Sequence, residues 1–455
     1  MMRYNTIKKL LLACTCCTML SAAVAQSEYG SPNGFNMPFS QFGIGSSELP
    51  FNMPLVNRMG GTVYTLGGNN YVNPFNPASY GFIQSESFVF DMGVNIQLST
   101  LRDNNNSVND ADGNLGYLMV AMPVTKWWKL AGGLMPYSTV DYESTSTQTG
   151  AGFGKMNTVY YGNGGVNDVF LGSAFNIMRG DAKRPLLQAG FNVHYLTGNI
   201  DRTISYAFLG TDTSHYLPGR RYKHTDVSNF TVDFGVQMRQ PLGERYTLGL
   251  GVVYKPHMKM KVDDEALIYT YHVSDESLVD TIFPALGVDA GFKSDLERAS
   301  TVGVGLSLER NKKWQVAVDA TFAEWNDMKY TEGKTPSIFG DSRHVYGPYS
   351  RYAVGFERMG DMDASTYWGR ISWSLGAHLE QGCLCLRLDG GNEQRLDEWG
   401  LGIGATLPMR KGRSLLTISA AYSSFGTPDV LQRNTVTFGI AVSSCERWFV
   451  KRKYN

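Results

Sequence analysis

The chain contains 455 residues, a length that usually corresponds to two or three domains. Positively and negatively charged residues balance at 41 each, so the sequence offers no basic surface for nucleic acid. Only 18% of the residues are charged, whereas glycine, with 50 residues, and aromatic residues, at 12%, are abundant. This composition disfavours a disordered chain and a helical enzyme.

Residues 1–25 have the organisation of a secretion signal peptide. A basic stretch, Met1–Lys9, precedes the apolar stretch Leu10–Ala23, and small residues end the segment. A lipoprotein box at Leu11–Cys14 is the alternative, but about four apolar residues precede its cysteine, fewer than the ~7–15 of a signal core. We therefore expect residues 1–25 to be removed on export.

Beyond the signal, apolar residues alternate with small or polar residues in many segments. Between Phe88 and Ser99, every even position is apolar and the odd positions are mostly small or polar. Such alternation predicts β-strands with one apolar face. No later stretch has the 18 or so uncharged apolar residues of a membrane helix. The pattern returns in Phe230–Met238, Tyr246–Tyr254, Val302–Leu308, Trp314–Phe322, Trp373–Leu379, Trp399–Leu407 and Val436–Val442.

Two features favour a membrane barrel over a water-soluble sandwich, which also alternates. Aromatic residues such as Trp314, Trp399, Tyr246 and Tyr254 end the apolar stripes, as in the interfacial girdles of membrane barrels. The polar faces are rich in Gly, Ser, Thr and Gln, which suits a wet or loosely plugged lumen better than a packed core.

The spacing of the alternating segments predicts an all-β fold, a 14-stranded antiparallel transmembrane β-barrel over residues 86–445. Connections after even strands are short and those after odd strands are mostly long, as in outer-membrane barrels. We expect location in the outer membrane of a Gram-negative cell, with residues 446–455 as a periplasmic tail. The predicted strands lie near 86–100, 114–123, 126–140, 157–178, 186–200, 226–240, 245–261, 300–309, 313–326, 350–358, 369–381, 396–408, 413–423 and 433–445.

Residues 26–85 are predicted to be an N-terminal plug in the barrel lumen. The segment is rich in Gly, Pro and Asn, yet it carries many apolar residues, and Phe35–Pro38 recurs as Phe51–Pro54. A disordered leader is the alternative, although disordered segments are usually poor in aromatic residues. The candidate substrate-binding residues of the plug are Phe35, Met37, Phe39, Phe42, Phe51 and Met53.

Several motifs follow one another along about 430 residues: Met37–Gly45, Arg58–Gly61, Asn76-Pro77-Ala78, Pro123–Tyr137 and Trp314–Trp325. In this order they resemble the FadL-type long-chain fatty-acid transporter family, in the form common among outer-membrane proteins of Bacteroidota. Asn76, Pro77 and Ala78 match a plug motif of that family. The plug is longer than in the best-known members, and the chain does not end on an aromatic residue.

The resemblance implies passive transport of long-chain fatty acids or other small hydrophobic molecules. The family releases its substrate through a lateral gap beside a kink in the third strand, and Gly132, Gly133 and Pro136 could form that kink. A simple strand end at Pro136 is the alternative. Outer loops 201–225 and 262–299 occupy the position of capture loops. Their candidate capture residues are Phe208, Tyr216, Tyr269 and Tyr271.

A scaffold role is the principal alternative to transport. Some barrels of this family serve as scaffolds or shuttles in type IX protein secretion, so a secretion-machinery protein is a possible partner besides outer-membrane lipid. The sequence contains no nucleophile elbow or phosphate loop, and its seven histidines lack paired ligand spacing. We expect no enzyme activity, no cofactor, no metal and no nucleic-acid partner.

Overall fold

The fold was analysed in a computed structural model. The predicted signal, Phe35, Phe42, Phe51 and most of the predicted tail lie outside the described residues. The structure describes residues 37–41, 43–45, 52–104, 106–150, 154–178, 186–209, 216–271, 273–274, 277–278, 283–284, 291–310, 313–325, 330–331, 344–387, 393–409 and 413–447.

Short helical turns precede the first strand, and almost all the remaining regular structure is β. The turns are two 3-10 segments, Pro38–Gln41 and Pro77–Phe82, and helix α1, Pro54–Asn57. Helix α2, Tyr367–Arg370, lies in a later turn. The strands are β1 Ser87–Arg102, β2 Ser107–Pro123, β3 Trp128–Gly150, β4 Gly154–Met178, β5 Leu186–Leu209, β6 Gly219–Leu242, β7 Tyr246–Lys255, β8 Met258–Thr270, β9 Val273–Ser274, β10 Ser277–Leu278, β11 Phe283–Pro284, β12 Phe292–Arg298, β13 Thr301–Arg310, β14 Trp314–Glu324, β15 Tyr330–Thr331, β16 His344–Tyr346, β17 Pro348–Arg358, β18 Ser372–Gln381, β19 Leu384–Arg387, β20 Glu393–Arg395, β21 Glu398–Met409, β22 Ser414–Thr427 and β23 Leu431–Arg447.

Fourteen of these strands form a closed antiparallel ring, which confirms the predicted strand number. The ring runs from β1 to β7 and then through β13, β14, β17, β18, β21, β22 and β23. β23 pairs with β1 along its length, so the sheet closes on itself. Strands β8 and β12 pair with each other and continue β7 and β13 toward one end of the barrel.

The apolar face of the barrel wall points outward and the polar face points inward. On β1, Ile96 is 56% exposed, whereas its neighbour Asn95 is 1% exposed. The same contrast occurs on β21, where Leu401 and Ile403 are exposed. This arrangement inverts that of a water-soluble domain, in which the apolar face is buried.

Strands β3 to β6 are 23, 25, 24 and 24 residues long, well beyond the ~9–11 residues that cross a bilayer. They extend toward the end where the β3–β4 and β5–β6 hairpins turn, which we call the hairpin end. The predicted loops 141–156 and 201–225 are therefore mostly strand, and the loop prediction was wrong there. The apolar alternation stops in these stretches, but Ser, Thr, Tyr and Val continue the backbone ladder.

Candidate functional site

Residues 52–85 are bound to the inward-facing side chains of strands around the ring. The Asp319 carboxylate on β14 accepts hydrogen bonds from the backbone N–H groups of Val63 and Tyr64, the latter at 2.9 Å. The guanidinium group of Arg58 lies 2.7 Å from the Glu357 carboxylate on β17. Buried backbone N–H groups require such partners because water does not reach them.

Two further contacts place the same segment against β1 and β5. Asp91 of β1 accepts a hydrogen bond from the backbone N–H of Val72 at 3.0 Å. The Tyr80 hydroxyl donates to Asn192 Oδ1 of β5 at 2.9 Å. Burial raises the pKa of the Tyr80 phenol, so the hydroxyl stays protonated and remains a donor. The segment is thus tied to strands on widely separated parts of the ring.

Wall glycines allow the backbone of this segment to approach the sheet. A methyl group on Gly402 would overlap the Asn57 carbonyl oxygen, and one on Gly376 would overlap the backbone of Met59. A methyl group on Gly251 would overlap the backbone of Tyr64. The glycine content of the inward faces therefore reflects close packing against residues 52–85, rather than only a wet lumen.

The Asn76-Pro77-Ala78 motif stabilises a turn within the segment. Asn76 Oδ1 accepts a hydrogen bond from the backbone N–H of Ala78 at 3.1 Å, and Pro77 begins the 3-10 turn. Asn76 Nδ2 donates to the Tyr64 carbonyl at 2.7 Å, which ties the turn to an earlier part of the chain. Gly235 of β6 leaves room for the Asn76 amide. This packing gives a physical reason for asparagine, whose amide both accepts and donates.

Residues 37–41 and 43–45 lie against the hairpin end of β3. The backbone N–H of Met37 donates to the Asp141 carbonyl at 2.7 Å, and the Asp141 N–H donates to Ser40 Oγ at 3.1 Å. Ser138 Oγ donates to the Ile44 carbonyl at 2.7 Å. These contacts satisfy backbone groups of β3 that a neighbouring strand would otherwise bind.

The hairpin end of β3 has no strand paired with it on the β2 side, because the β2–β3 ladder stops early. The ladder runs from Pro123–Lys129 to Leu118–Leu134 and goes no further, although β2 continues to pair with β1 and β3 with β4. Gly132 and Gly133 are within the paired part, and Pro136 lies just beyond it.

A bulge at Pro136–Ser138 accompanies the end of this ladder. The bulge changes which residues face inward, since Ala131 and Met135 are buried before it and Val140 and Tyr142 after it. The third strand therefore has a bulge beside Pro136, whereas a kink formed by Gly132, Gly133 and Pro136 that releases substrate stays a prediction.

A cavity of about 350 Å³ lies between the N-terminal segment and the wall. Of the predicted plug residues, Phe39 lines it, whereas Met37 and Met53 are buried in other contacts. Its volume is within the ~300–1,000 Å³ of sites for small molecules. The apolar and aromatic lining residues are Phe39, Ile44, Val63, Tyr64, Phe75, Tyr137, Met260, Leu296, Ala323, Trp325, Tyr349, Cys383, Leu384, Leu396 and Phe425.

Charged side chains also line the cavity. Four are cationic and three are anionic, and an aromatic pair, Phe39 and Phe425, lies beside one of the cations with ring centroids 5.2 Å apart. The Arg433 guanidinium lies 5.6 Å from the Phe425 ring centroid. The cavity therefore suits an apolar molecule with a polar group. The charged lining residues are Lys255, Arg298, Arg351, Arg433, Glu297, Glu380 and Glu398.

A buried chain of ion pairs extends from the cavity into the wall. His194 of β5 contacts Asp168 of β4 at 2.8 Å and Asp233 of β6 at 3.2 Å. Asp233 in turn contacts Lys255 at 3.2 Å and Arg298 at 3.5 Å. Sequence alternation could not reveal these linked ion pairs, because the residues that form them come from five different strands. Within the described ranges, no group of three or more His, Cys, Asp and Glu residues is placed to hold a metal ion.

Comparison with known proteins identifies the family. The family model described as BamG matches residues 6–455. The chain belongs to the BamG family. No curated protein matches this BamG-family chain.

Solved structures of hydrophobic-compound channels share its fold. The CymD monoaromatic hydrocarbon channel is 14% identical with a TM-score of 0.52, covering 87% of this chain and 97% of its own. The toluene transporter TodX of Pseudomonas putida is 13% identical with a TM-score of 0.52, covering 93% and 100%. A FadL homologue of Pseudomonas aeruginosa is 13% identical with a TM-score of 0.52, covering 86% and 100%. At these identities the likeness concerns the fold alone.

The four predicted capture residues lie toward the hairpin end. The ring centroids of Phe208 and Tyr216 are 5.1 Å apart, and those of Tyr269 and Tyr271 are 6.3 Å apart. Phe208 belongs to β5 and Tyr269 to β8, so these two lie on strands rather than on loops. Capture of a substrate by these aromatic pairs stays a prediction.

Proposed function

We propose that this BamG-family chain is an outer-membrane barrel that transports long-chain fatty acids or other small hydrophobic molecules passively. The observation that carries the proposal is the cavity beside Phe39 and Phe75, because an apolar lining recovers about 25 cal/mol per Å² of ligand surface buried. An open aqueous pore would offer an apolar molecule no such gain.

The outward faces of the strands support a membrane location. They expose an apolar belt, and aromatic side chains lie near its edges. Tyr246 and Trp314 contact each other near one edge with centroids 6.4 Å apart, and Trp399 and Tyr422 near the other at 5.5 Å. Such aromatic girdles mark the two interfaces of membrane barrels. The FadL-type structural neighbours agree with this location, and membership of a Bacteroidota branch stays a prediction.

Within this proposal, residues 52–85 act as the plug. Their bonds to Asp91, Asn192, Asp319 and Glu357 attach them to β1, to β5 and to the neighbouring pair β14 and β17, which are three separate parts of the ring. A segment attached at so many points closes the lumen to water-soluble solutes. Substrate caught at the hairpin end would reach the cavity and leave past the plug or through the β2–β3 gap.

The experiment is native mass spectrometry, with lipid extraction, of the barrel purified from its own outer membrane in mild detergent. We expect a co-purifying apolar molecule that is lost from the variants Phe39→Ser and Phe75→Ser. Trp368→Ser is the control, because Trp368 is exposed in the turn before β18 and does not line the cavity. Equal retention in all variants would show that the molecule is bound elsewhere.

An empty barrel would contradict transport. If such a barrel carried a stoichiometric protein partner, the scaffold role in type IX secretion would replace the present proposal.

A further inference from the structure

The barrel wall has a second interruption, between β6 and the strand formed by β7 and β8. β6 pairs with β7 as far as Phe234–Tyr254 and with β8 from Val227–Val262 onward. Among the described residues, residues 228–233 of β6 have no ladder partner on the side of β7 and β8, although they pair with β5 on the other side. The pairing register shifts by one residue across the interruption, because Pro256 lies opposite it and proline lacks an N–H group to donate.

Side chains span this interruption where ladder bonds are missing. Arg298 Nη2 lies 3.2 Å from the Val232 carbonyl oxygen of β6 and 3.3 Å from the Pro256 carbonyl oxygen. Asn229 Nδ2 donates to the Lys261 carbonyl at 2.9 Å. Two side chains therefore hold together a part of the wall that elsewhere is closed by backbone hydrogen bonds.

Arg298 is itself held in place by the buried ion pairs. Its Nη2 lies 3.5 Å from Asp233, which also pairs with Lys255 and His194. The guanidinium can swing away without unfolding a strand, whereas a ladder bond cannot be broken without moving the backbone. Arg298 can therefore open or close the contact between β6 and Pro256 by a side-chain movement alone.

The interruption lies between the cavity and the outer face of the wall. Lys255, Met260 and Arg298 line the cavity on the inner side. On the outer side, Phe230 is 65% exposed and its ring centroid is 4.9 Å from that of Tyr195. An apolar surface therefore lies outside the break, and the cavity with its apolar and charged lining lies inside it.

We propose that the β6–β8 interruption is a second lateral opening, through which apolar molecules pass between the cavity and the surrounding bilayer when Arg298 releases Val232 and Pro256. The proposal rests on the proposed function, since it presumes a hydrophobic ligand in the cavity. It is independent of the β2–β3 gap, which is separated from it by the four strands β3 to β6 and is covered by residues 37–41 and 43–45 rather than by an arginine.

The test closes the opening with a short bis-thiol cross-linker. Cysteines replace Asn229 and Lys261 in the full chain, in a background in which Cys383, Cys385 and Cys445 are serine. The control cysteine pair replaces Val236 and Val252, which face each other where the same strands are fully paired. The readout is the rate at which the apolar fluorophore N-phenyl-1-naphthylamine exchanges between the reconstituted barrel and lipid vesicles.

Cross-linking of the pair at 229 and 261 should slow exchange by about tenfold or more, and the control pair should leave it unchanged. Arg298→Ala should accelerate exchange by about tenfold or more, because it removes the charged hydrogen bonds to both the Val232 and the Pro256 carbonyl. Arg298→Lys should fall between, because it keeps the charge without the planar fork. Bound fluorophore with equal rates in all variants would overturn the second opening alone. Failure of the unmodified barrel to bind fluorophore would overturn the proposed function and this proposal together.

Discussion

Removal of the Asp319 carboxylate should loosen the N-terminal segment without unfolding the barrel. In Asp319→Ala, the backbone N–H groups of Val63 and Tyr64 lose their buried acceptor. Each unsatisfied buried N–H costs about 1–3 kcal/mol, so the attachment should weaken by about 2–6 kcal/mol. The barrel ladder of β14 with β13 and β17 uses backbone groups and should persist.

Hydrogen exchange measured by mass spectrometry tests this expectation peptide by peptide. A loss of 2 kcal/mol raises the open population by about thirtyfold, so peptides from residues 60–70 should exchange at least that much faster. Peptides from β1 should be unaffected. Asp112→Ala is the control, because the half-buried Asp112 accepts one backbone N–H, from Gly113, far from the segment. Unchanged exchange over residues 60–70 in Asp319→Ala would refute the reasoning.

Three further changes probe the same architecture. Gly402→Ala should displace the segment by overpacking, which should cost about 1–3 kcal/mol of its attachment and speed proteolysis of residues 52–85. Gly113→Ala is the control and should not speed proteolysis, since nothing lies closer than 3.9 Å to its added carbon. Asn76→Ala removes two buried hydrogen bonds and should lower the free energy of unfolding of the segment by about 2 kcal/mol or more. Hydrogen exchange measures this change, and an exchange rate equal to that of the wild type would contradict the role of Asn76 in stabilising the turn. A bis-thiol cross-link between cysteines at Ser40 and Asp141 should slow ligand release, and unaltered release would exclude the β2–β3 gap as an exit.

The sequence was most informative where a local pattern repeats. Alternation from Phe88 to Ser99 predicted β1, and similar patterns predicted the number and order of the ring strands. The prediction was less accurate for strand length, because the hairpin ends of β3 to β6 lie beyond the apolar belt and carry no alternating apolar pattern. There the ladder is maintained by backbone bonds, which any residue except proline can donate.

The site was only partly predictable. Phe39, which the sequence singled out as an aromatic residue in a glycine-rich segment, lines the cavity, and its binding of a substrate stays a prediction. The roles of Arg298 and Arg433 were missed, since an arginine on a strand has no distinctive local pattern. Asp319 was part of a recognised motif, but its two bonds to the N-terminal segment could not be inferred from spacing.

The sequence by itself determined the strand count, the outward apolar face and the existence of an unusual N-terminal segment, because each depends on residues close together in the chain. Only the tertiary structure decided the cavity, the two interruptions of the wall and the attachment of the segment. The Val63–Asp319 bond joins residues separated by 256 positions. Which residues meet across such distances depends on ring closure and register, which no local pattern encodes.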